Sequence, residues 1–261
     1  MAIWVLVTGA SEGLGRDFAI LAAKAGFDVI LTARQEDKLN KLAHELQRAY
    51  QVETLVLPAN LADPEAVEQL WLTASEGREI GVFINNAGLG RNGAFADEDG
   101  WPREAASISV NVIAATILLK RVVVHMVANG TGHILNVASL AGYMPGPNMA
   151  VYHGTKAYLL SLSEAVAAEL KGSGVKVTAL CPGVTETAFF AADDAESTTL
   201  LNRILPMARS DKVAELGWKG MEKGRRVVIP GFLNKIAGQT PRILPRRIMT
   251  AVTGFLLQRR W

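Results

Sequence analysis

The sequence predicts an α/β fold in which helices cover both faces of a parallel sheet. Short β-branched and apolar runs alternate with longer helix-like segments five times, and such alternation is typical of parallel strands joined by right-handed crossovers. A glycine-rich turn follows the first apolar run directly, at the position where doubly wound sheets approach a dinucleotide. We therefore expect a Rossmann-type, doubly wound parallel sheet of about seven strands.

Length and composition indicate one globular domain spanning residues 1–261. Of these residues 49% are hydrophobic and 20% are charged, a balance that allows a single large core. The one cysteine, Cys181, excludes an internal disulfide and a cysteine-rich metal site, and we predict no metal. The start of the chain lacks a basic leader, and no apolar run has the length of a membrane span. We therefore expect a soluble, cytoplasmic protein.

The glycine-rich turn lies between a predicted strand at residues 3–8 and a predicted helix at residues 13–25. Glycines let the backbone turn tightly and approach a pyrophosphate, which the amides at the positive end of a helix stabilise. The spacing is Gly-x-x-x-Gly-x-Gly, and an ordinary strand-to-helix turn is the alternative. The residues predicted to bind a cofactor here are Gly9, Ser11, Glu12, Gly13, Leu14 and Gly15.

The residues after the second predicted strand, at 28–32, indicate which dinucleotide binds. The end of this strand faces the adenosine ribose, where an acidic side chain would bind the free 2′-hydroxyl and repel a 2′-phosphate. Ala33 and Arg34 offer a cation instead. The sequence therefore favours NADP(H), with NAD(H) as the alternative cofactor, unless Arg34 is simply a surface residue at a helix start.

The next two predicted strands, at residues 53–57 and 80–84, end in polar or small residues. Predicted helices at 35–50 and 63–75 precede them, and Asp63 with Pro64 forms the start of the second helix, by cap and first-turn chemistry. We predict that the residues after these strands border the cofactor, although the paired asparagines could instead tie neighbouring strands together. These predicted residues are Asn60, Leu61, Asn86, Ala87 and Gly88.

The second half of the chain supplies further polar residues at strand and helix ends. A long buried helix at 108–127 carries Asn111 near its start, where a polar side chain among apolar neighbours needs a partner. The strand predicted at 133–137 delivers Ser139 to the edge where open α/β sheets hold ligands. After a strand at 175–180 we predict an insertion over the site at 189–224, a last strand at 226–229 and a basic tail at 231–261.

Tyr152 and Lys156 lie four residues apart in a long apolar segment that predicts a helix. Residues at this spacing project from one helix face. A nearby cation favours the phenolate and lowers the pKa of tyrosine from its usual value of about 10. The protonated phenol can donate to a carbonyl oxygen, so the pair is an acid/base candidate. The alternative is a packed ring beside a solvated amine.

In this order, the motifs resemble those of the short-chain dehydrogenases/reductases, over roughly residues 1–190 and the last strand. The resemblance implies an oxidoreductase that interconverts a carbonyl and an alcohol, with Tyr152 as proton donor or acceptor and Ser139 on the same oxygen. It also implies that Lys156 lowers the Tyr152 pKa and binds the nicotinamide ribose, and that Asn111 holds a water. The remaining implied cofactor contacts come from Tyr152, Lys156, Pro182, Gly183, Thr185 and Thr187.

Three positions depart from the family pattern. Asn60 stands where an aspartate beside the adenine is usual, and its amide oxygen can still accept from the adenine amino group. Glu12 occupies a position where NADP-preferring relatives often carry a basic or neutral residue, which leaves Arg34 to support NADP(H). Thr185 replaces an aliphatic residue, which matters little if its backbone makes the contact.

The C-terminal tail is basic. From Arg225 onward there are eight basic and no acidic residues. The part of the chain before Arg225 holds the other 19 of the 27 basic residues and all 25 acidic residues, so it is acidic. Pro245 could begin a helix whose apolar stripe comprises Ile248, Met249, Val252, Phe255 and Leu256. Docking on the protein's own body or on a second subunit is favoured over contact with an anionic membrane.

The predicted substrate is a small carbonyl or alcohol, and a hydrophobic ketone or aldehyde is favoured because residues 89–96 and 140–149 are mostly apolar and small. We predict a homodimer or homotetramer and no nucleic-acid partner. Two other classes of function remain as alternatives: an NADP(H)-binding sensor or scaffold with little turnover, and a peripheral membrane protein defined by its tail.

Overall fold

Seven parallel strands form one sheet in the computed structural model, which describes residues 2–186 and 207–258. The strands are β1 (Ile3–Thr8), β2 (Asp28–Thr32), β3 (Thr54–Val56), β4 (Glu79–Asn85), β5 (Gly132–Val137), β6 (Val175–Leu180) and β7 (Val227–Val228). Their order is β3-β2-β1-β4-β5-β6-β7. The chain therefore builds outward from β1 to β3 and then crosses back to β4, which creates a switch point between β1 and β4. The predicted doubly wound fold is confirmed.

Helices cover both faces of this sheet. In chain order, the α-helices of the described residues are α1 (Gly13–Lys24), α2 (Glu36–Tyr50), α3 (Pro64–Ser75), α4 (Trp101–Ile108), α5 (Ala115–Asn129), α6 (Ala150–Glu169), α7 (Ser210–Glu222), α8 (Phe232–Gln239) and α9 (Arg246–Leu256). Helices α1, α2 and α7 line one apolar core, whereas α3 and α5 line the other. Along β1, Val5 and Val7 enter the first core and Leu6 the second, because successive strand side chains point to opposite faces.

Part of the segment predicted as an insertion, 189–224, belongs to the body of the fold. Val213 and Trp218 of α7 are only 2% and 6% exposed. The Trp218 ring lies 6.2 Å from the ring of Phe27, between the centroids. Residues 187–206, which include the first part of the predicted insertion, lie outside the described residues. The last strand is also shorter than predicted, Val227–Val228 instead of residues 226–229.

The helix predicted at residues 108–127 is part of a longer helical stretch, and a π-helical turn at Ser109–Ala114 interrupts it. Among the described helices, the stretch Glu98–Asn129 has the length and hydropathy of a membrane span, a property that the core helices of soluble proteins share. Here Leu118, Val122 and Met126 are at most 1% exposed. Their burial in the second core identifies this stretch as a sheet-covering helix.

A buried polar network connects β4, β5, α5 and α6. Asn85 Nδ2 donates to Asn136 Oδ1 at 3.0 Å and to the Ala115 carbonyl at 3.1 Å, and Asn136 Nδ2 donates to Ser163 Oγ at 2.9 Å. Buried amides need such partners. Asn85 therefore ties neighbouring elements together, one of the two roles open to the paired asparagines.

Candidate active site

The carboxyl ends of β1 to β6 lie along one edge of the sheet, since all their pairings are parallel. Each predicted site residue in the described chain lies in a loop at this edge or on a helix that begins beside it. Thr187, also predicted to contact the cofactor, lies outside the described residues.

The glycine turn, residues 9–15, connects β1 to α1 in a conformation that needs glycine. Gly9 and Gly13 have φ values of +67° and +56°, which residues with a Cβ rarely adopt. A Cβ on Gly15 would lie 2.0 Å from the Gly9 carbonyl oxygen, so α1 packs directly on the turn. No side chain caps the start of α1 in the described residues. Its first amides can therefore serve an anion such as a pyrophosphate.

Asn86 holds the glycine turn against the loop after β4. Its Nδ2 donates to the Thr8 carbonyl at 2.9 Å and to the Gly9 carbonyl at 3.3 Å. The Thr8 hydroxyl in turn accepts from the amides of Asn86 and Ala87, at 2.9 and 3.0 Å. Asn86 thus connects two neighbouring loops, as Asn85 connects neighbouring strands and helices. The backbone of residues 86–88 borders the same crevice as the glycine turn.

Three charged side chains lie where the adenosine end of a dinucleotide is expected, and only two of them, Glu12 and Arg34, were considered in the sequence analysis. Arg34 is exposed just after β2. The Glu12 carboxylate, predicted to weaken NADP(H) binding, forms an ion pair with Lys38 of α2 at 2.8 Å. Lys38 was missed, although its position four residues after Arg34 is visible in the sequence. A neighbouring cation offsets the negative charge of Glu12, so the obstacle to a 2′-phosphate is smaller than predicted.

Asn60 and Leu61 follow β3 at the same edge. Asn60 Oδ1 accepts from the Ala62 amide at 3.2 Å, so the oxygen predicted to pair with the adenine already has one donor and keeps a second lone pair. Leu61 is 7% exposed and belongs to the second apolar core. Leu61 can therefore reach a ligand through its backbone but not through its side chain.

Ser139, Tyr152 and Lys156 come together where β5 ends and α6 begins. The Tyr152 phenol and the Ser139 side chain form a hydrogen bond. Lys156, only 4% exposed, donates from Nζ to the Val137 carbonyl at 2.7 Å and lies 5.9 Å from the centroid of the Tyr152 ring. The alternative of a solvated amine is therefore wrong, because the Lys156 ammonium is buried beside the ring.

Burial controls the protonation of both groups. Tyr152 keeps some solvent access, yet enclosure of its phenol by protein raises its pKa to about 12, and the hydrogen bond from Ser139 opposes this only in part. Burial also lowers the Lys156 pKa to about 8, against a smaller opposing effect from Cys181. The predicted lowering of the Tyr152 pKa is wrong for this structure, because desolvation of the phenolate outweighs the hydrogen bond from Ser139.

Asn111 lies in the π-helical turn and connects the loop after β4 to α6. Its Oδ1 accepts from the Leu89 amide at 2.8 Å, and its Nδ2 donates to the Leu89 carbonyl at 2.7 Å and to Thr155 Oγ1 at 3.0 Å. A Cβ on Gly88 would lie within 3.4 Å of both Lys156 Nζ and Asn111 Oδ1. Asn111 therefore borders Lys156, and the water implied between Asn111 and Lys156 stays a prediction. Thr155 was missed, and only its position next to Lys156 could have drawn attention to it.

The loop after β6 forms the other wall of the crevice. The Leu140 amide donates to the Pro182 carbonyl at 2.9 Å, which connects this loop to the one that carries Ser139. A Cβ on Gly183 would lie 2.7 Å from Asn234 Oδ1, so α8 packs directly against the loop. Thr185 is 6% exposed, and its hydroxyl donates to the Gly183 carbonyl at 3.1 Å. The Thr185 hydroxyl is thus already hydrogen-bonded within the protein, so a ligand would contact the backbone of Thr185.

Cys181 is fully buried, and burial raises the pKa of its thiol to about 12. Such a thiol is a poor nucleophile, so the structure fits the interpretation of Cys181 as a core residue. Among the described residues, no three His, Cys, Asp or Glu side chains are grouped as metal ligands would be.

The glycine turn and the serine, tyrosine and lysine side chains share one edge of the sheet, at β1 and β5, with only β4 between these two strands. A dinucleotide extended from that turn would cross the switch point towards the tyrosine, and this defines the class as a dinucleotide-dependent oxidoreductase. The family model described as short chain dehydrogenase matches residues 3–198. The chain belongs to the short-chain dehydrogenase/reductase family, as the motifs indicated.

Similar proteins carry several substrate names. A 7beta-hydroxysteroid dehydrogenase of Collinsella aerofaciens is 35% identical over 184 residues, 70% of this chain and 69% of that protein. Sulfoacetaldehyde reductase 2 of Chromohalobacter salexigens is 34% identical over 218 residues, 81% of this chain and 85% of that protein. The solved structure of a short-chain dehydrogenase from Sphingobium yanoikuyae in complex with NADPH is 29% identical, with a TM-score of 0.79 over 94% of this chain and 96% of that one.

Proposed function

We propose that the protein is an NADP(H)-dependent carbonyl reductase that converts a hydrophobic ketone or aldehyde into its alcohol. The observation that carries this proposal is that Ser139 and the buried ammonium of Lys156, 5.9 Å from the ring centroid, converge on the Tyr152 phenol, whose pKa burial raises to about 12. At neutral pH this phenol is protonated, as a proton donor must be. A protonated phenol favours the reductive direction, in which the carbonyl oxygen receives a proton.

The described residues fit a dinucleotide. The glycine turn would hold its pyrophosphate at the start of α1, because the positive φ angles and the close packing of Gly15 leave backbone where a Cβ would stand. Arg34 and Lys38 would meet the adenosine phosphate. The backbone of residues 86–88, together with Pro182, Gly183 and Thr185, would line the remaining length of the molecule.

Bound NADPH supplies the hydride that reduces the carbonyl carbon. Ser139 donates a hydrogen bond to the carbonyl oxygen and fixes its position beside Tyr152. Tyr152 transfers its proton to that oxygen as negative charge develops, which completes the alcohol. The nearby Lys156 ammonium stabilises the phenolate that remains. The Val137 carbonyl keeps that ammonium in place.

The substrate class is inferred from the chemistry of the loops and from the relatives. The segments 89–96 and 140–149 are mostly apolar and small. One relative is named for a steroid, which is largely apolar, and another for sulfoacetaldehyde, which is small and anionic. Apolar loops favour the first type of substrate, because an unpaired sulfonate would be poorly solvated there. Homo-oligomerisation and cytoplasmic localisation stay predictions.

NADPH oxidation over a panel of carbonyl compounds tests the proposal. The panel should contain a steroid ketone, a long-chain aldehyde and sulfoacetaldehyde, each with NADPH and with NADH. We expect the highest kcat/KM for an apolar compound with NADPH. Preference for sulfoacetaldehyde would contradict the substrate class. Binding of NADPH without turnover of any compound would favour the alternative of a sensor or scaffold.

A further prediction concerns the ion pair between Glu12 and Lys38. Replacing Lys38 by methionine exposes the Glu12 carboxylate to the 2′-phosphate, so we expect KM for NADPH to rise by about five- to tenfold while KM for NADH changes little. Glu12→Gln in the same chain should recover part of this loss, since it removes the repelling charge but does not restore the cation of Lys38. Steady-state kinetics with both cofactors measures the effect.

Lys41→Met is the matched control for Lys38→Met, since Lys41 is an exposed lysine on the same helix. We expect this variant to behave like the wild type with both cofactors. An equal rise of KM for NADPH and NADH in Lys38→Met would show that the pair does not select the cofactor. If KM for NADPH were as high in the double variant Lys38→Met/Glu12→Gln as in Lys38→Met, the Glu12 carboxylate would not repel the 2′-phosphate.

A further inference from the structure

Exposed apolar side chains are concentrated in the C-terminal segment 232–255. Of the 19 large hydrophobic residues that are exposed in the described chain, eight lie in these 24 positions. We call these eight residues the C-terminal apolar surface. They are Phe232, Leu233, Ile236, Ile243, Leu244, Ile248, Val252 and Phe255. A soluble monomer rarely exposes so dense a set without an interaction partner.

The helix α9 has two apolar faces, and only one of them packs on the protein. Met249, Thr253 and Leu257 recur at helical spacing and are 5–6% exposed. Gly254 lies on an adjacent side of α9, and a Cβ there would lie 3.1 Å from Pro147, so the helix also meets the loop before α6. Ile248, Val252 and Phe255 lie on a different face and are 45–51% exposed. Docking on the protein's own body, one favoured alternative, therefore accounts for Met249 but leaves this second stripe exposed among the described residues.

Cations are interleaved with the apolar side chains. Lys235, Arg242, Arg246 and Arg247 are all exposed, and no acidic residue occurs from Arg225 onward. A second copy that used the same surface in a two-fold dimer would place these cations against one another. A second copy docked through this same surface is thus a poor partner.

We propose that the C-terminal apolar surface binds the protein to an anionic phospholipid membrane. The four cations would lie among the lipid headgroups, and the exposed side chains of α8 and α9 would enter the boundary between headgroups and acyl chains. This arrangement is peripheral, because α8 and α9, at 8 and 11 residues, are far shorter than a membrane span. The inference does not depend on the proposed reaction.

The position of α9 gives such binding a consequence for the active site. A groove of about 620 Å³ lies between α9 and the loop before α6, lined by Pro147 and Asn148 on one side and by Arg246, Arg247 and Phe255 on the other. The same loop leads into the helix that carries Tyr152. A membrane-bound protein would therefore hold the loop that leads to Tyr152 near the lipid, where a hydrophobic carbonyl compound is concentrated. This consequence rests on the proposed function.

Sedimentation of the full chain with phospholipid vesicles tests the proposal. We expect the protein to sediment with vesicles of phosphatidylcholine and phosphatidylserine, to remain in solution with phosphatidylcholine alone, and to be released as salt is added. Leu233→Ser/Ile236→Ser and Arg246→Gln/Arg247→Gln should each lower the partition coefficient by about tenfold. These side chains are exposed, so the thermal midpoint should stay unchanged.

Matched controls separate the surface from general effects. Leu72→Ser/Leu216→Ser removes two exposed leucines on α3 and α7, and Lys24→Gln/Lys41→Gln removes two exposed cations on α1 and α2. Both should bind vesicles like the wild type. The proposal is overturned if the wild type does not sediment, or if control and test variants lose binding equally. It is also overturned if, without vesicles, the test variants change the oligomeric state of the protein, since a second copy would then cover the surface.

Discussion

Replacing Tyr152 by phenylalanine should lower kcat by about 10³-fold or more, because the variant keeps the ring but has no proton for the carbonyl oxygen. Tyr152 is the one side chain of the candidate site whose hydroxyl is both protonated at neutral pH and hydrogen-bonded to Ser139. The affinity for NADPH should change little, since the glycine turn and the adenosine end are untouched. Single-turnover kinetics and NADPH fluorescence titration measure the two effects separately.

Tyr158→Phe is the matched control for this loss. Tyr158 lies on the same helix, and its hydroxyl is 2.9 Å from Thr116 Oγ1 on the outer side of α6, where the residue is 39% exposed. We expect this variant to retain the turnover of the wild type. If Tyr152→Phe were as active as Tyr158→Phe, the proton would have to come from another group, and the assignment of Tyr152 would be wrong.

The sequence was sufficient for the features that depend on local spacing. The glycine turn, the positions of Ser139, Tyr152 and Lys156, and the bounds of β2, α3 and β6 all follow from patterns within a few residues of each other. Parallel order then follows from the β-α alternation. The predicted edge of the sheet therefore carries the site residues that the structure describes.

Features that depend on tertiary context could not be predicted in the same way. The helix α7 lies in a segment interpreted as an insertion, although Val213, Gly217 and Met221 recur at helical spacing. The pairing of Glu12 with Lys38 joins residues 26 positions apart. The direction of the Tyr152 pKa depends on how much protein encloses the phenol. Residue types indicated the attraction of the cation but not the opposing cost of burial.

The buried ammonium of Lys156 leads to the second large expected effect, which concerns pH as well as activity. Lys156→Met should lower kcat/KM by about 10²-fold or more, since the phenolate left by proton transfer loses its stabilising charge.

Lys156→Met should also change how the free energy of unfolding depends on pH. In the folded protein the Lys156 pKa is about 8, against an ordinary value of 10.5. Between these values the unfolded chain binds more protons than the folded one, so the free energy of unfolding of the wild type should rise with pH.

Below pH 8 both states are protonated, and the fold bears the full cost of the buried charge, about 3 kcal/mol for a shift of this size. This cost should disappear gradually as pH rises towards 10.5. Cys181 and Tyr152 act in the opposite direction, but only above their ordinary pKa values of 9.0 and 10.0, so the window from pH 8 to 9 isolates the lysine. Urea unfolding across this window should give a smaller slope for Lys156→Met than for the wild type, whereas Lys41→Met, which removes an exposed lysine, should keep the wild-type slope. Equal slopes in all three proteins would mean that the ammonium is not desolvated in solution, and that Lys156 cannot be the buried cation on which the stabilisation of the phenolate depends.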